Sequence, residues 1–221
     1  MQPLTAVVLG ATGLVGEQLV QQLLSDPAFL KVRILVRKQV KLSHPKLEAE
    51  LVNFDNLIDF RRKLGKGNCI FCCIGTTRKK VKGDKTTYHK IDVDIPVNAA
   101  KMGKDAGFEK YLLVSSVGAD FFSKNFYLRF KGEVEKEIAA LNFNSFHVFR
   151  PGILLGKRKE FRLAETIGKE VMQSISGLFF GDLKKYRGIN AVHVSRAMVA
   201  AAKFDGKGMF VHHYEDMMQV D

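Results

Sequence analysis

Three closely spaced glycines near the N-terminus constrain the fold of this chain more than any other feature of its sequence. Residues 4–16 read LTAVVLGATGLVG, so that a short apolar run meets Gly10, Gly13 and Gly16. Apolar residues at helical spacing follow directly, which predicts a strand, a glycine turn and a helix in that order. Such glycines permit a tight turn, let the backbone approach a pyrophosphate, and let the helix pack closely on the strand. We therefore predict a dinucleotide site, in preference to an ordinary strand–turn–helix whose glycines serve only packing. The residues predicted to hold the cofactor at this turn are Gly10, Thr12, Gly13, Leu14, Val15 and Gly16.

The rest of the chain alternates apolar, strand-like runs with helical patterns. Further strands are predicted at Val32–Val36, Ala49–Val52, Cys69–Ile74, Tyr111–Ser115, Ser145–Phe149 and Met209–His212. Helices are predicted at Glu17–Leu24, Leu57–Leu64, Ile95–Ala106, Phe130–Leu141 and Val194–Lys203. This alternation predicts an α/β fold, with a doubly wound, mostly parallel Rossmann sheet and helices on both faces. No repeat or linker divides the chain, so residues 1–221 are predicted to form one NAD(P)-binding domain with a small substrate or cap region at about 154–190.

Composition narrows the classes of partner. The formal net charge of +12 favours an anionic partner, whether nucleic acid, a membrane surface or an acidic small molecule. The aromatic residues are mostly Phe in apolar runs and no nucleic-acid-binding motif occurs, which disfavours nucleic acid. No apolar run reaches the ~18 residues of a membrane span, and no signal-peptide pattern opens the chain. Cys69, Cys72 and Cys73 lie in one predicted buried strand, without the spacing of a disulfide framework or a metal site. We predict a cytoplasmic protein that binds a small-molecule substrate and neither a membrane nor a metal.

The end of the second predicted strand indicates which dinucleotide is bound. Arg37 and Lys38 stand where an acidic residue would favour NAD through the ribose hydroxyls. An arginine there can instead form a charge-assisted fork with a 2′-phosphate, so the sequence favours NADP(H) over NAD(H). Asn53 and Phe54 end the third strand, where the adenine is expected to lie. Asn53 would bond the base and Phe54 would flank it, although an ordinary turn Asn and core Phe explain these residues nearly as well.

Catalytic residues are predicted after the fifth strand. Ser115 and Ser116 end that strand, and Tyr127 and Lys131 follow four residues apart, a spacing that places two residues on one face wherever the backbone is helical. The apolar stripe of the same helix continues this face, so it is expected to turn toward the sheet and the cleft. A phenol can exchange a proton with a substrate, an ammonium beside it stabilises the phenolate, and a serine hydroxyl can orient a carbonyl or alcohol.

These residues are also the ones that carry a family resemblance. The segments GATGLVG (10–16), SSVGA (115–119), YLRFK (127–131) and FRPG (149–152) resemble an atypical short-chain dehydrogenase/reductase. FCCIGTTR (71–78) and KGEVE (131–135) make the chain most similar to the Tat-interacting-protein, oxidoreductase-like group.

The resemblance implies a Rossmann core, NADP(H) binding and a triad of Ser116, Tyr127 and Lys131, the last two also contacting the cofactor. Only 11 positions separate Ser116 from Tyr127, fewer than is usual in the superfamily, so Ser115 stays an alternative catalytic serine and cofactor contact. Two further cofactor-binding segments are implied: Ile74, Gly75 and Thr76 along the cofactor, and Pro151, Gly152 and Ile153 near the nicotinamide.

Three functions are compatible with this sequence. The first is an NADP(H)-dependent oxidoreductase that acts on a carbonyl or alcohol. The second is an NADP(H)-sensing regulator that binds a protein partner without turnover, and the third is a nucleotide-sugar epimerase or dehydratase. Two basic clusters follow the fourth and sixth strands, and they favour an anionic substrate or a partner as much as simple solvation. Their members are Arg78, Lys79, Lys80, Lys82 and Lys85, and Lys157, Arg158 and Lys159.

Overall fold

Seven parallel strands form the central sheet of the protein, and the computed structural model describes residues 3–76, 83–156 and 186–220. In chain order the strands are β1 (Leu4–Leu9), β2 (Phe29–Val36), β3 (Leu47–Leu51), β4 (Cys69–Cys72), β5 (Lys110–Val114), β6 (Ser145–Phe149), β7 (Leu154–Leu155), β8 (Ile189–Asn190) and β9 (Gly208–His212). The order across the sheet is β3-β2-β1-β4-β5-β6-β9, while β7 and β8 pair only with each other. The predicted parallel, doubly wound sheet is confirmed.

Helices cover both faces of the sheet. They are α1 (Leu14–Ser25), α2 (Leu57–Leu64), α3 (Lys85–His89), α4 (Ile95–Asp105), α5 (Phe126–Ala139), α6 (Ala191–Lys203) and α7 (Tyr214–Met218). Strand β1 shows why two layers form, because its apolar side chains alternate between two cores. Ala6 and Val8 pack with α1 and α6, whereas Val7 and Leu9 pack with α2, α4 and α5. Within the described ranges, no helix is long and apolar enough to cross a membrane.

The strand order places a topological switch point between β1 and β4. The chain winds outward through β2 and β3 on one side and through β5 and β6 on the other. Parallel sheets of this kind bind ligands at the carboxyl ends of the strands beside the switch point. The Gly10 turn follows β1, and residues 73–76 follow β4, so both segments lie at the carboxyl ends of the two strands that flank the switch point.

Several helices begin earlier than predicted, and a π-helical turn that the sequence did not predict precedes α4. Helix α5 begins four residues earlier than predicted, because the Asn125 side chain accepts hydrogen bonds from the N–H groups of Tyr127 (3.0 Å) and Leu128 (3.4 Å). Before α4, residues Lys90–Asp94 form a π-helical turn. Pro96, which lacks an N–H and crowds the carbonyl four residues back, accounts for this widened turn.

The cysteines are core residues, as predicted. Cys69 and Cys72 are buried, Cys73 is half-buried, and none of the three forms a disulfide. Burial raises the pKa of Cys69 to about 12, and it also raises the pKa of Cys72 and of Cys73. These thiols therefore stay protonated near neutral pH and behave as small apolar side chains.

His212, near the C-terminus, belongs to a cluster of rings at the edge of the sheet. Its ring stacks on Phe149, with ring centroids 4.6 Å apart, and contacts the buried His147. The register of β6 and β9 places His147 opposite Phe210, and Phe149 opposite His212, on one face of the sheet. His147 Nδ1 lies 2.9 Å from His212 Nε2, and its Nε2 lies 2.8 Å from the Ser145 hydroxyl. The two imidazoles thus belong to the packed edge of the sheet.

This histidine pair predicts acid sensitivity of folding. Burial lowers the pKa of His147 to about 4, with smaller contributions from His212 and Lys110, and burial also lowers the pKa of His212. Because the folded value of His147 lies below its ordinary value of about 6.5, its stabilisation is present above pH 6.5 and is lost as the pH falls toward 4. We expect the free energy of unfolding to fall by about 1–2 kcal/mol between pH 7 and pH 5 from this residue.

Denaturant unfolding of the native chain and of His147→Gln at about pH 7 and pH 5 measures that loss. The variant should lose less stability on acidification than the native chain does, while His44→Gln, a loop histidine, should lose as much. An equal pH dependence in the native chain and in His147→Gln would contradict the assignment to His147.

Candidate active site

The glycine turn has the geometry of a backbone cradle. Gly10 has φ of +77°, and a Cβ there would lie 2.6 Å from the carbonyl carbon and oxygen of Cys73. A Cβ on Gly16 would lie 2.2 Å from the carbonyl oxygen of Gly10. Gly13 is the N-cap of α1 and provides no side-chain cap. Side chains are thus excluded where the turn touches β4 and α1, and the helix start is left to backbone N–H groups, which suit an anion.

A cleft of about 720 Å³ opens at the carboxyl ends of the strands. Its walls unite segments that are far apart in the chain. From the β1 and β4 side, the predicted residues that line it are Leu14, Val15, Ile74, Gly75 and Thr76. From β5, α5 and the segment after β6, they are Ser115, Ser116, Tyr127, Lys131, Pro151 and Gly152. The structure therefore brings the three predicted catalytic residues into one cleft with much of the predicted cofactor site.

Tyr127 and Lys131 are both buried on the cleft side of α5. Tyr127 is 8% exposed and Lys131 is 5% exposed, and Lys131 Nζ lies 5.9 Å from the centroid of the Tyr127 ring. Lys131 Nζ also lies 3.2 Å from Asp92 Oδ1, and the Asp92 side chain is fully buried. Burial by itself lowers the pKa of Lys131, but the Asp92 carboxylate, aided by Tyr127, more than offsets this, so the pKa of Lys131 is raised. The ammonium charge is thereby held beside the phenol.

Asp92 is a site residue that the sequence analysis missed. It lies on the π-helical turn, and its Oδ2 accepts a hydrogen bond of 2.8 Å from the N–H of Thr76. One carboxylate therefore connects the segment after β4 with the Lys131 ammonium. The sequence did contain a signal for this residue. Asp92 lies at helical spacing before Ile95 and Ala99, so it places a charge on an apolar stripe that is expected to be buried.

The two serines after β5 have different surroundings. The Ser115 hydroxyl donates to the buried carboxylate of Glu135. The Ser116 hydroxyl, in the part of the chain that the structure describes, donates to the carbonyl of Val117 at 3.3 Å. Ser115 is therefore held by a charged acceptor, whereas Ser116 makes one long bond to its own neighbour.

A second cavity, of about 1170 Å³, lies beyond the ends of β2 and β3 and is lined by Arg37, Asn53 and Phe54. Asn53 Oδ1 accepts a hydrogen bond of 3.0 Å from the N–H of Asp55, and the Phe54 ring packs edge-on against Phe60 at 4.8 Å. The turn and core roles foreseen for these two residues are therefore present, and both residues also face the cavity. Lys38 is exposed beside Arg37 and does not line it.

The other predicted positions are placed as follows. Thr12 is exposed on the glycine turn, and Ile153 is half-buried, with its carbonyl accepting a bond of 2.8 Å from the N–H of Ile189. Lys85 begins α3, with its Nζ 6.0 Å from the Phe126 ring. The remaining basic residues of both clusters, and most of the expected cap at 154–190, lie outside the described residues.

A family model described as NAD(P)H-binding matches residues 10–176, which includes the glycine turn, the cleft residues and the helix that carries Tyr127. This chain belongs to the NAD(P)H-binding family. The match covers most of the chain, and it agrees with a Rossmann sheet whose cradle lies at the switch point.

Sequence relatives confirm the resemblance to atypical short-chain dehydrogenases. The HTATIP2 protein of Rattus norvegicus is 33% identical over 186 residues, which cover 83% of this chain and 73% of the relative. The mitochondrial protein FMP52 of Coccidioides immitis (strain RS) is 33% identical over 215 residues, covering 92% and 87% of the two chains. Several relatives are named as mitochondrial proteins, so the cytoplasmic location stays a prediction.

Solved structures share the fold at low sequence identity. A UDP-N-acetylglucosamine 4-epimerase from Methanobrevibacter ruminantium M1 has a TM-score of 0.73 at 16% identity, covering 96% of this chain and 77% of its own. A UDP-glucose 4-epimerase from Thermotoga maritima has a TM-score of 0.71 at 15% identity, covering 95% and 76% of the two chains. At such identities the similarity shows the fold alone.

The residues of this chain fit the dinucleotide that the family binds. The Gly10 and Gly16 positions leave no room for a Cβ, and α1 starts without a side-chain cap, which is the arrangement that accepts a pyrophosphate. Buried polar groups gather further along the cleft, where Ser116, Tyr127 and Lys131 lie. The cradle and the polar groups therefore lie along one binding surface.

Proposed function

We propose that this protein is an NADP(H)-dependent oxidoreductase that acts on a carbonyl or alcohol. The observation that carries this proposal is the buried group of Tyr127, Lys131 and Asp92 in the cleft beside the glycine cradle. Burying an ion pair costs desolvation energy, so its position next to a phenol in an open cleft favours a chemical role over a purely structural one. When bound, the nicotinamide cofactor supplies or accepts the hydride.

Each residue would have a distinct task in carbonyl reduction. The Tyr127 hydroxyl donates its proton to the oxygen of the substrate, which becomes the alcohol. The Lys131 ammonium, held charged by Asp92, stabilises the phenolate left on Tyr127 and can bind the ribose hydroxyls of the cofactor. The Ser116 hydroxyl orients the substrate oxygen by a hydrogen bond. In alcohol oxidation the proton moves in the opposite direction.

A panel of aldehydes, ketones and quinones with NADPH tests this function. Because the basic residues after β4 favour an anionic substrate, the panel should include carbonyl compounds that carry a carboxylate. Oxidation of NADPH that depends on one of these compounds is the expected result. Tight NADPH binding with no turnover on any compound would instead favour the regulator that binds a protein partner.

The proposal for NADP(H) over NAD(H) rests on Arg37, which is exposed at the rim of the second cavity. Its guanidinium can form two charge-assisted hydrogen bonds with a 2′-phosphate, while Asn53 and Phe54 contact the adenine. We expect Arg37→Asp to weaken NADPH binding about 10- to 100-fold and to leave NADH binding equal or stronger.

Calorimetric titration of both dinucleotides measures this preference. Lys41→Asp makes the same change in charge on a nearby exposed loop and should alter neither affinity by more than about twofold. Equal affinities for NADPH and NADH in the native chain, or an unchanged preference in Arg37→Asp, would overturn the assignment of Arg37.

A further inference from the structure

Glu135 is a buried carboxylate that the proposed chemistry does not use. It lies one helical turn after Lys131 on α5, and its side chain is 6% exposed. It accepts hydrogen bonds from three donors, which are the Ser115 hydroxyl, Nε of Arg150 at 3.1 Å, and Nη2 of Arg150. The Arg150 guanidinium thus forms a two-point fork on this carboxylate, which fixes both groups in orientation as well as in distance.

The donors come from two adjacent strand ends under the cleft. Ser115 directly follows β5 and Arg150 directly follows β6. Their chain neighbours Ser116, Pro151 and Gly152 line the cleft. Backbone bonds already join the two segments, since the N–H of Val117 donates to the carbonyl of Pro151 at 3.0 Å. Glu135 adds a side-chain link between the same segments, so that α5 and the ends of β5 and β6 are joined at one point.

The Glu135 contacts also separate the roles of the two serines. A hydroxyl has one proton to donate, and Ser115 donates its proton to Glu135. The Ser116 hydroxyl makes a bond of 3.3 Å to the Val117 carbonyl, which is easily exchanged for a substrate oxygen. The carboxylate therefore leaves Ser116 as the serine whose hydroxyl can turn to a ligand.

We infer that Glu135 is a positioning residue, which fixes Ser115 and Arg150 so that Ser116 and the Pro151–Gly152 segment form the floor of the nicotinamide half of the cleft. This inference rests on the proposed NADP(H) function. It predicts that Glu135 matters for the nicotinamide half of the ligand and not for the adenosine half, which binds at the glycine turn and beyond β2.

Two ligands separate these halves experimentally. NADPH spans both, whereas adenosine 2′,5′-bisphosphate has the adenosine and the 2′-phosphate but no nicotinamide. Glu135→Gln removes the charge at nearly constant shape and replaces one of the two acceptor oxygens of the Arg150 fork with an NH2 group, which cannot accept from the guanidinium. We expect NADPH affinity to fall about tenfold, and affinity for adenosine 2′,5′-bisphosphate to stay within about twofold. Glu137→Gln, an exposed glutamate on the same helix, should change neither affinity.

A second variant keeps the test decisive if Glu135→Gln folds poorly. Arg150→Lys retains the positive charge but loses the fork, and it should weaken NADPH binding selectively in the same way. Loss of NADPH affinity alone supports the inference. Equal loss of both ligands, as a purely structural role would give, or no loss of either, overturns it. A native chain that binds neither ligand overturns the proposed function itself and the inference with it.

Discussion

The Tyr127→Phe variant is expected to lose turnover and keep its cofactor. The phenylalanine ring fills the same space on α5 but has no proton to give to the substrate oxygen, so the rate of NADPH-dependent reduction should fall about 10²- to 10⁴-fold. NADPH affinity should stay within about twofold, because the phosphates are held at the glycine turn and the ribose by Lys131. Steady-state rates and calorimetric titration on the same preparation measure the two effects.

Tyr214→Phe is a matched control for that experiment. Tyr214 begins α7, on the face of the sheet opposite Tyr127, and it packs against the core formed by α1 and α6. Removal of its hydroxyl should leave the rate unchanged. Full activity in Tyr127→Phe with a proven substrate would show that another group transfers the proton, and the role given to Tyr127 would be wrong.

Lys131→Met is expected to damage stability, cofactor binding and turnover together. The substitution breaks the buried ion pair between Lys131 and the fully buried Asp92 carboxylate, and removal of one partner of such a pair costs about 3–5 kcal/mol. It also removes the ammonium that we propose stabilises the phenolate and binds the ribose. Denaturant unfolding, NADPH titration and steady-state rates should all show a loss.

A second substitution separates the structural effect from the chemical one. In Lys131→Met/Asp92→Asn the buried position carries no charge, and the amide can still accept the hydrogen bond from the N–H of Thr76. The double variant should regain most of the lost stability without regaining turnover. Recovery of turnover along with stability would mean that Lys131 serves only to neutralise Asp92.

The parts of the fold that local sequence determines could be predicted. Gly10 needs a positive φ and Gly16 needs contact without a Cβ, and both constraints come from the turn itself. The short apolar run of β1 and the helical spacing in α1 are likewise local patterns. The placement of Tyr127 and Lys131 on one helical face could be predicted for the same reason, because it depends only on residues within one helix.

The parts that depend on tertiary contacts could not be predicted. Asp92 meets Lys131, and Glu135 meets Arg150, only after separate elements pack at the ends of β4, β5 and β6. His147 and His212 likewise become neighbours because β9 pairs with β6. No short sequence pattern predicts this pairing of strands. A charged or polar residue within an apolar stripe indicates that its side chain is buried. It does not indicate which residue of another element that side chain will contact.

A crystal structure of the native chain with NADPH directly tests the proposed binding site and chemistry. We expect the pyrophosphate at the Gly10–Gly16 turn, the 2′-phosphate beside Arg37, and the nicotinamide ring next to Tyr127 and Ser116 with one face open to a substrate. A pyrophosphate bound away from the glycine turn, or a nicotinamide whose reactive face is covered by the chain, would contradict it.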